Sequence, residues 1–506
     1  MNDFNFHLGK KIDNPLPVSA SLVLIIFIVY LYQGAAPAFN GDDVIQIQYP
    51  EDANTFLAQG RWGYFLIFGK LFQSNPAPVI ATFFGSILLV VTGIFACRIL
   101  KFNRLASVAV LVAVSSISVY YGALFSYDST RIAYPVANFL AAYGLYLTVT
   151  NRRMAGLFLM SLAPAFYPVA SELAATVFMA LLTVKLTGTG KSFSIQKELL
   201  PGVFIIASMI LYSLGTRLIS KFFGFPVDAR TEMDLFAVFH RFPDILSLFC
   251  SHSFPVLAPY GPRSPAYQTV YPFGVSLSIF ALFLICTAIS IYILFSEKRK
   301  KYLLLLMMFQ LGLIIAPFGL IFASKDAHFP PRALYPFALV HGFYAAFAIE
   351  KLMDCRNRCN NSIQRYATRG VLLLAGILLL FNATRINMRA VDEYLASRSE
   401  ILMANRIFMR IEQTVADNPL FKNEPQWRIA VVCNKETLIG PRGNISSSMH
   451  VHWSKERIFH FLSRRITVAG AAEQEAAQKA ALNRGEWPAS DSVFTMGDLI
   501  VVVIHK

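Results

Sequence analysis

Eleven windows of the chain carry almost no charge and approach the length a helix needs to cross about 30 Å of hydrocarbon. They fall at about residues 16–36, 76–96, 105–125, 132–150, 154–168, 173–188, 199–219, 271–295, 302–323, 334–350 and 370–386. A soluble fold cannot bury that much contiguous apolar sequence and still present a polar surface. Of the 506 residues, 55% are hydrophobic and 15% charged, against about 25% charged in an ordinary soluble domain. The 44 Phe and 21 Tyr also exclude a disordered chain. The expected fold class is an all-α polytopic membrane protein with about eleven transmembrane helices. Pro164 and Pro168 interrupt the fifth and sixth windows and Glu172 stands between them. These two read as two short crossings, or as one crossing and a re-entrant piece. The first window follows Lys10 and Lys11 and is a little long for the apolar core of a signal peptide, so it reads as a retained span.

A formal net charge of +15 is the mark of many nucleic-acid binders, but here the charges are sorted by loop. If the N-terminus is cytoplasmic, nineteen Lys and Arg lie in the inside segments, from Lys10 and Lys11 to Lys298–Lys301 and Lys351–Arg369. The short outside segments hold five, namely Arg61, Lys70, Arg131, Lys325 and Arg332. That alternation is the positive-inside pattern. It predicts N-in and C-out, and it implies membrane lipid and no nucleic acid among the partners.

The transmembrane domain is expected over 1–386, with a small α/β domain on the outer face over 387–506. Residues 388–415 read as a helix by the three- and four-residue spacing of Leu395, Ile401, Leu402, Ile407, Phe408, Ile411 and Val415. Asn418-Pro419 ends it. Two β-rich runs follow at 428–433 and 499–504, with a helix at 471–483 between them. By this topology Cys250 and Cys433 lie outside, where they could pair. Cys355 and Cys359 lie inside without the second ligand pair a zinc site needs.

Most of the reactive side chains fall on the outward loops. The first loop begins Phe39-Asn40-Gly41-Asp42-Asp43 and ends Gln59-Gly60-Arg61-Trp62. Two adjacent carboxylates just past a membrane exit can take a proton from a sugar hydroxyl, and the same residues also make a good turn. The second loop, Ser126-Tyr127-Asp128-Ser129-Thr130-Arg131, can bind a sugar or cap helix ends. Glu172 sits at a span end, where a carboxylate is costly unless it faces a cavity or a partner. Lys325 and Arg332 stand against the charge bias in the loop at 324–333. A phosphate at the bilayer surface accounts for them, since Arg grips phosphate bidentately; anionic lipid or Asp326 is the alternative partner.

The chain has no P-loop, no G-x-G-x-x-G that opens a helix after a strand, and no H-E-x-x-H. Chemistry on the outer face has no nucleotide to draw on, so an activated donor there arrives on a lipid.

Acidic residues in the first outward loop of a multi-span chain resemble the GT-C class of glycosyltransferases, which use polyprenyl-phosphate sugars. The Gly41-Asp42-Asp43 and Gln59-Gly60-Arg61-Trp62 pieces, Ser126-Tyr127-Asp128 and the soluble C-terminal tail together resemble the phage-encoded serotype-converting O-antigen glucosyltransferases of enteric bacteria. The resemblance implies a GT-C-like fold. It also implies inverting transfer of glucose from undecaprenyl-phosphate-glucose to a sugar of the O-antigen repeat, on the periplasmic face of the bacterial inner membrane. Asp42 or Asp43 would be the general base, Arg61 would shape its loop, and Asp128 would bind sugar hydroxyls. The substrate-binding set is completed by Glu172, Lys325 and Arg332, which rest on charge placement. No cofactor is firmly implied; some GT-C enzymes use a divalent metal such as Mg or Mn and others use none. Two readings of other kinds compete. A flippase or transporter for lipid-linked sugars predicts charges at mid-span. An O-antigen polymerase predicts a large late outward loop, for which residues 220–270 with Arg230, His240, Arg241 and His252 qualify.

Overall fold

In hydrocarbon every backbone amide must find its partner inside the protein, so charge-free runs fold as helices. The computed structural model describes residues 16–36, 38, 54–71, 77–127, 131–188, 193–224, 271–319, 331–354, 361–416, 418–421, 424–434, 438–439, 445–446, 449 and 455–505. Within them each of the eleven apolar windows holds a helix. In chain order these are α1 (Leu16–Ala35), α2 (Pro78–Leu100), α3 (Leu105–Ser116), α4 (Val119–Phe125), α5 (Ala133–Val149), α6 (Arg153–Leu162) and α7 (Ala170–Leu186). They continue as α8 (Ile195–Phe223), α9 (Phe273–Ser296), α10 (Leu303–Ile315), α11 (Pro336–Asp354) and α12 (Asn361–Ala416). Among the described residues, six helical stretches are long and apolar enough to cross a membrane: Pro17–Ala35, Pro78–Leu100, Ile195–Phe223, Phe273–Ser296, Lys300–Phe318 and Ser362–Ala416. The α3–α4 pair, bent by 49°, makes a seventh if it is one span. α5 and α7 have 17 residues each, and α6 has 10 before a 3₁₀ turn at Ala163–Ala165.

The bend between α3 and α4 is held by one local contact and two distant ones. Ser118 caps the new helix by accepting from the Tyr121 amide at 3.2 Å. The carbonyls freed at the break are taken by neighbours. Tyr30 of α1 donates to Ser116 O at 2.7 Å, and Asn382 of α12 donates to Ile117 O at 2.9 Å.

α11 is buried on all sides from Pro336 to Glu350 and is the central post of the bundle, packed by α3, α7, α9 and α12. The connections sort to two ends. At one end Arg104 pairs with Asp354 at 2.8 Å, Lys185 pairs with Glu198, and Arg299 donates to Gly188 O at 2.6 Å. At the other, Gln33 donates to Gly122 O at 3.0 Å, Arg131 donates to Phe125 O at 2.8 Å, and Arg332 binds Tyr127. The basic junctions Arg104, Lys185 and Arg299 therefore share one end.

The window at 370–386 and the helix expected at 388–415 are one continuous helix of 56 residues, α12, about 80 Å long at 1.5 Å per residue. Its first half gives Val371, Ala375, Leu378 and Ile386 to the bundle core. Its second half gives Ala404, Ile407, Ile411 and Val415 to a separate core against a sheet. That sheet contains β1 (Trp427–Cys433), β4 (Ile466–Val468), β5 (Val493–Met496) and β6 (Leu499–His505), while β2 (Leu438–Ile439) and β3 (Ile445–Ser446) pair apart from it. The strand order is β4-β1-β6-β5, parallel except for the β5/β6 pair. β1 and β6 are apolar without alternation because both faces are covered. Ile429, Val431, Ile500 and Val502 meet α12 and a short helix α13 (Arg457–Leu462). Ala430, Val432, Val501 and Val503 meet α14 (Ala471–Ala481). Cys433 is buried in β1, whereas Cys250, Cys355 and Cys359 lie outside the described residues.

Where α13 begins, Glu456 is buried, 3.7 Å from the Lys455 amine, and accepts from Gln474 Nε2 at 2.8 Å. Burial outweighs these contacts and raises its carboxyl above the usual range. A raised folded-state value favours the neutral acid. That contribution is complete below the unfolded-state carboxyl range and is lost as pH rises through the raised value. Once the carboxyl ionises, it places an unfavourable buried charge beside the sheet. Glu456→Gln keeps an acceptor for Gln474 and removes that charge. Hydrogen exchange of the β1 and β4 amides in the full chain is expected to be severalfold slower than wild type at pH 7, with the gap closing towards pH 4. Faster exchange in the variant at pH 7 would mean that the Lys455 pairing dominates.

Candidate functional site

Of the seven residues singled out from the sequence, Arg61, Glu172 and Arg332 are described. Asp42, Asp43, Asp128 and Lys325 lie outside the described residues, as do Arg230, His240, Arg241 and His252.

Arg61 is held by a tight turn. Gly60 takes φ +71, a left-handed conformation that glycine adopts without strain. The Arg61 amide donates to Phe56 O at 2.7 Å. A Cβ at position 60 would stand 2.6 Å from the Tyr212 hydroxyl, which donates to Gly60 O at 3.1 Å and so pins the turn to α8. From this turn the Arg61 guanidinium reaches the Tyr134 hydroxyl at 3.3 Å and lies 5.3 Å from the centre of the Tyr167 ring.

Those two rings begin a row of buried tyrosines. Tyr134 and Tyr167 stack at 3.8 Å and 13°, Tyr167 faces Tyr335 at 6.2 Å, and Tyr335 lies 5.1 Å from Tyr121. Asn138, one turn beyond Tyr134 on α5, donates to the Tyr121 hydroxyl at 2.9 Å. Glu172, 4% exposed in the first turn of α7, lies within electrostatic reach of Tyr167 and Tyr335. It also flanks the end of α10, where a Cβ on Gly319 would stand 3.8 Å from its Cγ.

Arg332 closes the other edge. Its Nη1 is 2.5 Å from the Tyr127 hydroxyl and its guanidinium carbon is 4.3 Å from the ring centre. It also lies within electrostatic reach of Tyr167 and of Arg389 on α12, which pairs with Glu393 at 2.6 Å. The three described candidates thus come from three separate segments and meet around one side chain, Tyr167. Asp128 follows Tyr127 in sequence, next to the residue that Arg332 grips.

Arg131, by contrast, is structural. It is 1% exposed and binds Phe125 O and, at 3.4 Å, Thr82 Oγ1, which ties the start of α5 to α4 and α2. Among the described residues no three His, Cys, Asp or Glu side chains come together to hold a metal ion.

A carboxylate among phenols, with guanidinium groups at two edges, suits a ligand that combines sugar hydroxyls with a phosphate. Reading the sequence left out Tyr134, Tyr335, Asn138 and Arg389. The usable signal was Asn138, a polar side chain inside an apolar span.

Helices of this length and apolarity suit insertion in a membrane, and the chain belongs to the GtrII glucosyl transferase family. The family model, described as Glucosyl transferase GtrII, matches residues 31–349. Membership makes the chain a glucosyltransferase and so a glycosyltransferase. No match was found among curated proteins or among solved structures. The matched stretch contains all seven candidate residues and ends within α11, before α12 and the sheet.

Proposed function

We propose that the protein transfers glucose, with inversion, from undecaprenyl-phosphate-glucose to a sugar of an O-antigen repeat, and that this transfer changes the serotype. The reaction takes place on the periplasmic face of the bacterial inner membrane, with the N-terminus cytoplasmic, the C-terminus periplasmic and about eleven crossings over residues 1–386. The observation that carries this reading is the meeting of Arg61, Glu172 and Arg332 around Tyr167, at the end of the bundle opposite the basic junctions. An enzyme that takes both substrates from the periplasmic leaflet needs its polar site at that end.

The acceptor hydroxyl oxygen attacks C1 of glucose as the bond from C1 to the phosphate oxygen breaks. The pair of electrons from that bond leaves on the lipid phosphate, and the hydroxyl proton passes to Asp42 or Asp43. The leaving phosphate goes from a diester with one negative charge towards a monoester with two. A cation fixed beside it, Arg332 with Lys325, stabilises the transition state more than the ground state. Arg61 holds the first loop against Tyr134 and Tyr167, while Asp128 and Glu172 bind sugar hydroxyls.

The test is transfer of labelled glucose from polyprenyl-phosphate-glucose to O-antigen lipopolysaccharide, in membranes that contain the protein. Labelled lipopolysaccharide is the expected result. Well-expressed protein that transfers nothing from that donor would overturn the assigned donor, and transfer only to a different acceptor would overturn the O-antigen assignment.

A further inference from the structure

Inside the tyrosine row two buried polar atoms have no hydrogen-bond partner among the described residues. One is the hydroxyl of Tyr335, 0% exposed, and the other is the side-chain oxygen of Asn138, also 0% exposed. Leaving such groups unpaired is costly, and native proteins do so where a ligand supplies the missing bond. The two atoms belong to one place. Asn138 binds the Tyr121 hydroxyl at 2.9 Å, and the Tyr121 ring lies 5.1 Å from that of Tyr335. Whichever end of the Asn138 amide faces Tyr121, the other end is left for a further partner. The Tyr335 hydroxyl is also within electrostatic reach of Tyr134, Tyr167 and the Glu172 carboxylate.

The chemistry of the set is specific. A phenol that can donate, an amide and a carboxylate, held among aromatic rings, match neighbouring hydroxyls on a pyranose. One hydroxyl can accept from Tyr335 while it donates to Glu172 or Asn138, and the ring faces give the sugar C–H surface an apolar wall. Arg61 and Arg332 stand at the edges, where a phosphate attached to that sugar would lie.

We propose that Tyr335 and Asn138, with Glu172, form the subsite that binds the hydroxyls of the transferred glucose, and that Tyr335 determines which hydroxyl pattern is accepted. This rests on the proposed lipid-phosphate donor and on the outer-end site.

The experiment uses the full chain in membranes and compares wild type, Tyr335→Phe and Tyr143→Phe. Each is assayed for kcat/KM with polyprenyl-phosphate-glucose and with the corresponding 2-, 3-, 4- and 6-deoxyglucose donors. Tyr335→Phe removes one oxygen that has no partner among the described residues, so it should accumulate and unfold like wild type. Wild type is expected to lose about tenfold or more on one deoxy donor. A single hydrogen bond gives far less than the 10⁴–10⁵-fold discrimination of a site built around a substrate hydroxyl. Tyr335→Phe should lose a similar factor on glucose and no longer distinguish glucose from that deoxy donor. Tyr143→Phe, whose ring packs on Phe95 and takes no part in the row, should keep the wild-type pattern. If wild type transfers glucose and Tyr335→Phe matches it on every donor, the hydroxyl contact is overturned and the donor assignment stands. Failure of Tyr335→Phe to accumulate assigns its hydroxyl a structural role and overturns the proposal as well. If wild type itself transfers nothing from these donors, the donor assignment fails and takes this inference with it.

Discussion

Replacing Asp42 or Asp43 by asparagine lowers the rate of glucose transfer at least about a hundredfold in one of the two variants and much less in the other, the scale expected for loss of a general base. The acceptor hydroxyl is a poor nucleophile at neutral pH unless its proton has somewhere to go as the bond to C1 forms. The described residues on either side of the first loop lie beside the candidate site. On one side α1 stops at Ala35, and Gln33 is bound to Gly122 and, at 3.4 Å, to Ser126. On the other side Arg61 is bound to Tyr134 and set against Tyr167. Asp42 and Asp43 follow Ala36 by only six and seven residues, and an extended chain covers about 3.3–3.6 Å per residue. The loop that carries both carboxylates therefore leaves α1 beside Gly122 and returns to the described chain beside Tyr134. Asparagine keeps the size and hydrogen bonding of the side chain and removes its basicity, so protein level and donor binding should hold while the chemical step slows. The measurement is initial transfer rate at matched protein level across pH 4 to 8. The wild-type rate is expected to fall as pH drops through the carboxylate range. Full activity in both variants would move the base to Asp128 or Glu172.

The helices were legible because a charge-free window and a helix that crosses hydrocarbon are two statements of one requirement. Other features depended on contacts distant in sequence. The run at 105–125 reads as one span, yet the chain breaks at Ser118 because Tyr30 and Asn382, 88 residues before it and 264 after it, bind the carbonyls that the break releases. α12 was read as a span and a separate helix because Arg385, Arg389, Asp392 and Glu393 end the apolar window. A helix does not need apolar residues to continue, and this one changes its partner from the bundle to the sheet without a break. β1, β6 and α14 stood out through unbroken Val and Ile runs and an Ala-rich stretch, and they fall within a residue or two of the expected ranges. In the site, Glu172 and Arg332 were visible because each is a charge in a place that disfavours charge, and Arg61 through the Gln59-Gly60-Arg61-Trp62 piece. The tyrosines carried no such signal: a Tyr at a span end is the ordinary interfacial residue of any membrane protein, and only packing shows that four of them form one row.

Arg332→Ala is expected to lower kcat/KM by about 10²–10³, the loss seen when a preorganised group that stabilises transition-state charge is removed, and Arg332→Lys to restore only part of it. The reason lies in how the side chain is held. The guanidinium lies over the face of Tyr127 and also binds its hydroxyl, so its donors are fixed before substrate arrives. A lysine ammonium supplies the charge without the planar fork, so it can attract a phosphate but cannot grip it bidentately. Arg389 stands within electrostatic reach of Arg332, with Glu393 as its carboxylate partner. Arg389 belongs to α12, beyond the stretch that the family model matches. Two arginines close enough to repel are stable together when an anion lies between them, and a dianionic lipid phosphate at the moment of bond cleavage would meet that condition best. On this account the Ala variant loses more in kcat than in donor affinity, because the charge it neutralises appears only as the bond breaks. Single-turnover rates at saturating donor separate the two. An Arg332→Ala protein with wild-type kcat and a raised KM would assign the residue to binding of the ground-state lipid alone. A protein unchanged in both would leave Arg332 a structural partner of Tyr127.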